Sequence, residues 1–142
     1  MIRVIAGGKK SAGWLETAVK EYEKRLKKPF DVKWEFFEEK KLAEKLERWD
    51  FSSDEIVVLT DERGENLSSP ELAANLEQSF NYGKVVVIIG GAYGMEEKVR
   101  KKANLVWSFS RLVFPHMLMR LMLIEQIYRA QEISCGGKYH HE

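Results

Sequence analysis

The sequence is short of the features that most readily announce a function. It holds one cysteine, Cys135, in 142 residues, so no disulfide can form within the chain and a reducing compartment fits best. A catalytic thiolate needs a base to activate it. His140 and His141 lie close by in sequence, yet a lone thiol after a helix reads as inert. An excess of charge of one sign is also missing. With 23 basic against 22 acidic residues the net charge is +1, and no global field points to a nucleic acid or a membrane. Any RNA contact must come from local patches or from an assembled oligomer. No apolar run reaches the roughly 18 residues of a membrane span, and the apolar stretch in "MIRVIAGG" is far too short for a signal peptide. The expectation is a soluble, cytoplasmic protein. Without internal repeats or a low-complexity linker, one domain over 1–142 is expected, a size that buries a proper core without staples.

What is present is an alternation of strand and helix patterns. "IRVIAG" reads as a buried strand closed by Gly7 and Gly8, and "GWLETAVKEYEKRLKK" as a helix stopped by Pro29. "DVKWEFF" is a half-buried strand, "EEKKLAEKLERW" a helix and "EIVVLTD" a compact strand. "SSPELAANLEQSF" follows as a helix, with Ser69 as cap and Pro70 at the first helical position. "KVVVIIGG" is the most apolar strand, "MEEKVRKKA" a helix, "LVWSFS" a strand, and a long helix runs from Pro115 to about Ser134. Such alternation predicts an α/β domain with a mostly parallel sheet covered on both faces. Ligands in that class bind past the carboxyl ends of the strands, here the loops after Ile5, Leu59, Ile89 and Phe109. The last helix is apolar on most of its circumference, so its second face is expected to meet another subunit. Met117, Met119 and Met122 read as adaptable core or interface filler.

Familiar motifs fail on spacing. "AGGKKS" lacks the Lys-Ser/Thr pair directly after the second glycine of a P-loop. "GGAYG" at 90–94 is G-G-x-x-G and not a dinucleotide fingerprint; it fits either a tight turn or a backbone that lets a ligand come close. Asp61 could mimic a phosphoacceptor aspartate, but the first strand ends without the acidic residues that hold magnesium. His116, His140, His141 and Cys135 show no zinc spacing, so no metal is expected.

Taken together, "VVVIIGGAYG", "WSFSRLVFPHMLMRLMLIEQIYRAQEI" and the closing "KYHHE" resemble the ribosomal RNA large subunit methyltransferase H family of SPOUT methyltransferases, with support from "EYEKRLKK" and "VVLTDERG". The resemblance covers the whole length. It implies a cytoplasmic homodimer that uses S-adenosylmethionine to methylate N3 of a pseudouridine in large-subunit ribosomal RNA, on the assembled ribosome. It also implies a trefoil knot near the C-terminus, which sequence patterns alone would never suggest. Carried over by position, the cofactor contacts fall on Leu59, Gly90, Phe109, Ser110, Arg111, Leu112, Val113 and Phe114. Leu59 and Leu112 would wall the adenine, and Gly90 would admit the main chain without a Cβ.

The closing "GGKYHHE" is too poor in histidine for a purification tag. Tyr139 is the candidate to stack on the displaced base and His140 the candidate to take its proton. Relatives commonly read Tyr-His-Arg here, whereas this chain has His141 in the arginine position. Histidine lacks the permanent charge and fork of arginine, so RNA binding is expected to draw on Lys138, Arg120 or Arg129 as well. His116 is open to two readings, a substrate contact or a hydrogen-bonded scaffold. Two rival functions carry different tests: a Rossmann-like enzyme would bind another nucleotide cofactor, and a non-catalytic ribosome-binding module would transfer no methyl group.

Overall fold

The computed structural model describes residues 1–8, 13–90 and 95–141. Five strands, β1 (Ile2–Gly7), β2 (Val32–Phe37), β3 (Glu55–Asn66), β4 (Lys84–Ile89) and β5 (Leu105–Ser108), alternate with helices α1 (Gly13–Glu23), α2 (Glu39–Arg48), α3 (Ser69–Tyr82), α4 (Glu97–Arg100) and α5 (His116–Ser134). The sheet order is β2-β1-β4-β3-β5, and all four pairings are parallel. The apolar run expected to be most buried is β4, which lies between β1 and β3, with Val85 to Ile89 all buried.

Two cores sandwich the sheet. On one face α1, α3 and α5 cover Ile2, Val4, Val58, Val85, Val87 and Trp107, contributing Leu76, Leu123 and Ile127. On the other, α2 and α4 bring Leu42, Leu46 and Val99 against Ile5, Val57, Leu59, Val86 and Ile88. Alternate residues of β4 therefore serve opposite cores, as the two-residue period of a strand requires.

Several boundaries differ from the sequence expectation, and each has a local cause. The first helix ends at Glu23, short of Pro29. There Gln131 of α5 intervenes, its amide donating to the Arg25 carbonyl (2.9 Å) and its oxygen accepting the Lys27 N–H (2.7 Å), which satisfies backbone groups a longer helix would have used. The cap of α3 is Ser68 rather than Ser69: the Glu71 N–H donates to the Ser68 hydroxyl (3.2 Å) and the Ser68 N–H to the Glu71 carboxylate (3.0 Å). Ser69 instead bonds Gln126 on α5 (2.8 Å). Helix α4 keeps only four residues because its continuation is used for tethers. Lys102 donates to the carbonyls of Leu46, Glu47 and Trp49 at the end of α2, and Asn104 exchanges two bonds with the backbone of Val57.

The third strand is longer than its apolar run. It pairs with β5 up to Thr60, departs, and returns so that Glu65 and Asn66 again face Trp107 and Ser108. The last strand is shorter than expected, ending at Ser108. At the C-terminus α5 closes with a Schellman turn. Gly136 has φ +69°, the Gly137 N–H donates to the Glu132 carbonyl (2.7 Å), and the Gly136 N–H donates to the Ile133 carbonyl (3.2 Å). Glycine commonly ends helices in this way, and here it reverses the chain.

Candidate active site

A cleft opens past the carboxyl ends of β4 and β5, beside the middle of β3. Its walls are Thr60, Asp61 and Glu62 within β3, where that strand departs from β5, Gly90 after β4, Phe109, Ser110, Leu112, Val113 and Phe114 after β5, and His116 and Met119 at the start of α5. The space its walls enclose is about 60 Å³, smaller than a drug-sized ligand site, so a ligand held here would extend across the open mouth.

The loop after β5 is shaped by its serines. The Ser108 hydroxyl donates to the Ser110 carbonyl (2.8 Å), and the Ser110 hydroxyl accepts the Leu112 N–H (3.1 Å). Asn66 adds a bond to the Ser108 carbonyl (3.2 Å) from the returning end of β3. Phe109 packs edge-on against Trp107, with centroids 4.3 Å apart. Leu112 and Val113 remain 68% and 72% exposed, an unusual placement for aliphatic side chains unless a ligand or a second chain covers them.

The opposite wall is polar. Thr60 donates its hydroxyl to the Ile88 carbonyl (3.2 Å) and accepts the Gly90 N–H (3.3 Å), stapling the ends of β3 and β4. A Cβ on Gly90 would lie 2.9 Å from the Thr60 carbonyl oxygen. The glycine is therefore demanded by the neighbouring strand, whatever it meets in the cleft. Asp61 is buried, and the Arg63 guanidinium beside it holds its carboxyl below the ordinary aspartate range against the opposing effect of desolvation.

Gly90, Phe109, Ser110, Leu112, Val113 and Phe114 thus meet in one cleft, as does His116. The His116 Nδ1 lies 4.0 Å from the Glu39 carboxylate. Leu59 is different: fully buried, its side chain belongs to the core with Ile5, Val86 and Ile88. Arg111 is exposed and is not part of the cleft wall. Thr60, Asp61, Glu62 and Met119 line the cleft although no sequence pattern selects them as contacts. Their signal is only positional, since the first three end the apolar run of β3 on the ligand-binding edge of such a sheet. Of the "GGAYG" turn, residues 91–94 lie outside the described residues, as do Lys9 to Ala12 and Glu142.

Arg120 corrects an expectation. Read as an RNA contact, it is 2% exposed, donates to the Gly7 carbonyl (2.7 Å) and stacks over the Phe36 ring at 4.6 Å. Burial pulls its pKa down from the ordinary arginine value. It is a core residue linking α5 to β1 and β2.

The tail folds back onto α5. The Tyr139 hydroxyl donates to Glu125 Oε1 (3.2 Å), and its ring meets Tyr128 edge-on at 4.8 Å. Arg129 stacks over that ring at 4.8 Å, forks onto Glu125 with bonds of 3.0 and 2.5 Å, and reaches His140 Nδ1 at 3.1 Å. A guanidinium only donates, so Nδ1 accepts and the ring proton sits on Nε2. Burial, followed by a hydrogen bond with Tyr22, raises the Tyr139 phenol above its usual range. Lys138 and His141 are exposed. From Met119, the last cleft residue on α5, to Glu125 the helix advances about 9 Å. Within one chain the tail and the cleft therefore occupy different stretches of the same helix.

Among the described residues no group of three or more His, Cys, Asp or Glu is arranged to hold a metal, and no helix is long and apolar enough to cross a membrane.

Residues 1–140 match the family described as "Predicted SPOUT methyltransferase". The ribosomal RNA large subunit methyltransferase H of Desulfitobacterium hafniense (strain DSM 10664 / DCB-2) is 38% identical over 156 residues, covering 98% of each chain. The protein of that name from Geobacter metallireducens is 37% identical, covering 99% of this chain and 98% of its own. Among solved structures, a probable methylase family protein from Haemophilus influenzae Rd KW20 superposes with a TM-score of 0.56 at 15% identity. It spans 95% of this chain and 66% of its own, a likeness of fold. With the family match over residues 1–140 and identity of 37–38% across nearly the full length of both chains, the chain belongs to the SPOUT methyltransferases, within the ribosomal RNA large subunit methyltransferase H family.

Proposed function

We propose that the protein transfers a methyl group from S-adenosylmethionine to N3 of a pseudouridine in large-subunit ribosomal RNA, on the assembled ribosome and as a cytoplasmic homodimer. The observation that carries this reading is the cleft. Six of the eight cofactor positions singled out by family resemblance, Gly90, Phe109, Ser110, Leu112, Val113 and Phe114, line one largely apolar cleft past the carboxyl ends of β4 and β5. Phe109, Leu112, Val113, Phe114 and Met119 suit an adenine ring, and the exposed Glu62 carboxylate at the polar wall suits a cationic methionine moiety. Bound there, S-adenosylmethionine would supply an electrophilic methyl on its sulfonium.

The chain's own task is then positioning. The N3 lone pair forms the new N–C bond as the C–S bond breaks, and the N3 proton must leave. In this reading Tyr139 stacks on the displaced base and His140 takes the proton, for which its Nδ1 contact to Arg129 has to open. Because tail and cleft lie apart along α5, the tail of one subunit would serve the cleft of the other. The half-buried Leu121 and Met122 on α5, the exposed Leu118 and Trp14, and Leu112 and Val113 at the cleft mouth supply apolar surface for that dimer. A trefoil knot formed by the segments around β4, β5 and α5 belongs to the same reading.

The test is transfer of a labelled methyl group to ribosomes that lack the modification. Label is expected in large-subunit ribosomal RNA within the assembled ribosome, with little in a short naked hairpin. A net charge of +1 offers little counterion-release affinity for free RNA. Isothermal titration should find S-adenosylhomocysteine binding without binding of NAD or ATP. Ribosomes that stay unlabelled would leave only a binding role.

The burial of Arg120 adds a second expected result. Arg120→Met should cost about 2–4 kcal/mol of stability, as breaking a buried polar contact does, and leave the salt dependence of ribosome binding unchanged. A reduced salt slope at an unchanged thermal midpoint would return Arg120 to an RNA-binding role.

A further inference from the structure

The polar wall of the cleft depends on an arginine outside it. Asp61 keeps its side chain 1% exposed, a costly place for a carboxylate unless it is paired. Arg63 supplies the pairing from a half-exposed position. Its Nε donates to Asp61 Oδ1 (3.0 Å), its Nη2 to Oδ2 (2.8 Å), and its own backbone N–H to Oδ1 (2.9 Å). Nη2 also donates to the Met95 carbonyl (3.0 Å). Met95 is 5% exposed and packed into the core beneath the cleft with Leu59 and Ile88. The guanidinium therefore ties this stretch of β3 to a fixed point beyond β4, while Thr60 ties β3 to the end of β4 at Ile88 and Gly90.

We propose that Arg63 is a positioning residue for methyl-donor binding, acting through Asp61: its fork across the Asp61 carboxylate and the Met95 carbonyl holds the Thr60–Glu62 wall in its binding shape before the donor arrives. The proposal rests on the cleft being the donor site. A wall ordered in advance spares the donor the cost of ordering it. Geometry, beyond charge, is required, because a lysine ammonium could reach the carboxylate or the carbonyl but lacks the planar fork that spans both.

The experiment is titration of S-adenosylhomocysteine into the wild type, Arg63→Gln, Arg63→Lys and the double variant Arg63→Gln/Asp61→Asn, with thermal unfolding in parallel. Arg63→Gln should raise Kd about tenfold, as preorganisation is lost, and raise the KM for S-adenosylmethionine equally, with kcat at saturating donor unchanged. Arg63→Lys should lose nearly as much. The double variant should recover part of the affinity, because no unpaired carboxylate then remains at the wall. An unchanged Kd in Arg63→Gln, or full rescue by lysine, overturns the proposal. So does a loss of binding matched by the fraction unfolded at the assay temperature, which would make Arg63 a stabilising residue alone. If the wild type itself fails to bind S-adenosylhomocysteine, it is the reading of the cleft that fails.

Discussion

Removing the four residues from Tyr139 to Glu142 should reduce methyl transfer by at least about 10², the lower bound for losing a general base, while S-adenosylhomocysteine still binds within about threefold of wild type. Two features of the molecule make the effects separable. The cleft is built from the strand ends and the first turn of α5, and among the described residues none of its walls comes from the tail. The tail instead rests on Tyr128, Arg129 and Glu125, further along the helix. Single-turnover methylation on ribosomes and titration of the cofactor product read the two quantities independently. Equal loss of both, or dissociation of the dimer, would make the tail a structural element. An intermediate phenotype is expected for Glu125→Gln. The Arg129 fork and the Tyr139 hydroxyl share Glu125 Oε1, so weakening that acceptor should loosen the tail without removing it.

Gly64→Ala should be the most damaging of the small substitutions near the site, costing about 2–4 kcal/mol and lowering the thermal midpoint by roughly 5–15 °C for a domain of this size. A Cβ at Gly64 would lie 2.5 Å from the Val106 carbonyl oxygen and 2.9 Å from the Trp107 nitrogen. Both are backbone atoms of β5, which cannot swing aside as a flexible side chain would. The contact occurs where β3 returns to the sheet, bringing Glu65 and Asn66 against Trp107 and Ser108, one residue before the cleft wall begins at Phe109. Displacing that return should therefore weaken S-adenosylhomocysteine binding along with the fold. Scanning calorimetry and titration on the same preparation test both. A midpoint within about 2 °C of wild type would show that the two strands can separate at little cost.

Parts of this site are legible in the sequence, and the reason is local. Phe109 to Phe114 form a continuous segment after a strand, and a continuous segment stays together however the chain folds. Their convergence with Gly90 follows from the rule that parallel strands present their carboxyl ends on one edge. The pairing of Arg63 with Asp61 is invisible by the same logic. "TDERG" looks like a charged turn, and nothing in it says that one carboxylate is buried while its neighbour Glu62 is exposed. Nor does it say that Arg63, which pairs the buried carboxylate, also bonds the carbonyl of Met95, 32 positions further along the chain. The early end of α1 has a similar origin in Gln131, more than 100 positions distant.

By itself the sequence determined the class of fold, the number and order of the elements and the family, because hydrophobic period and short motifs are properties of neighbouring residues. Only the tertiary structure decided which charged groups belong to the interior and which to the surface. Arg120 illustrates the division. On a helix wheel it is a basic interruption in an apolar stripe, indistinguishable from Arg129. In the fold its guanidinium meets the carbonyl of Gly7, 113 positions away, whereas Arg129 holds the tail. The desolvation of a charge is set by everything packed around it, and packing brings together residues whose proximity no local pattern records.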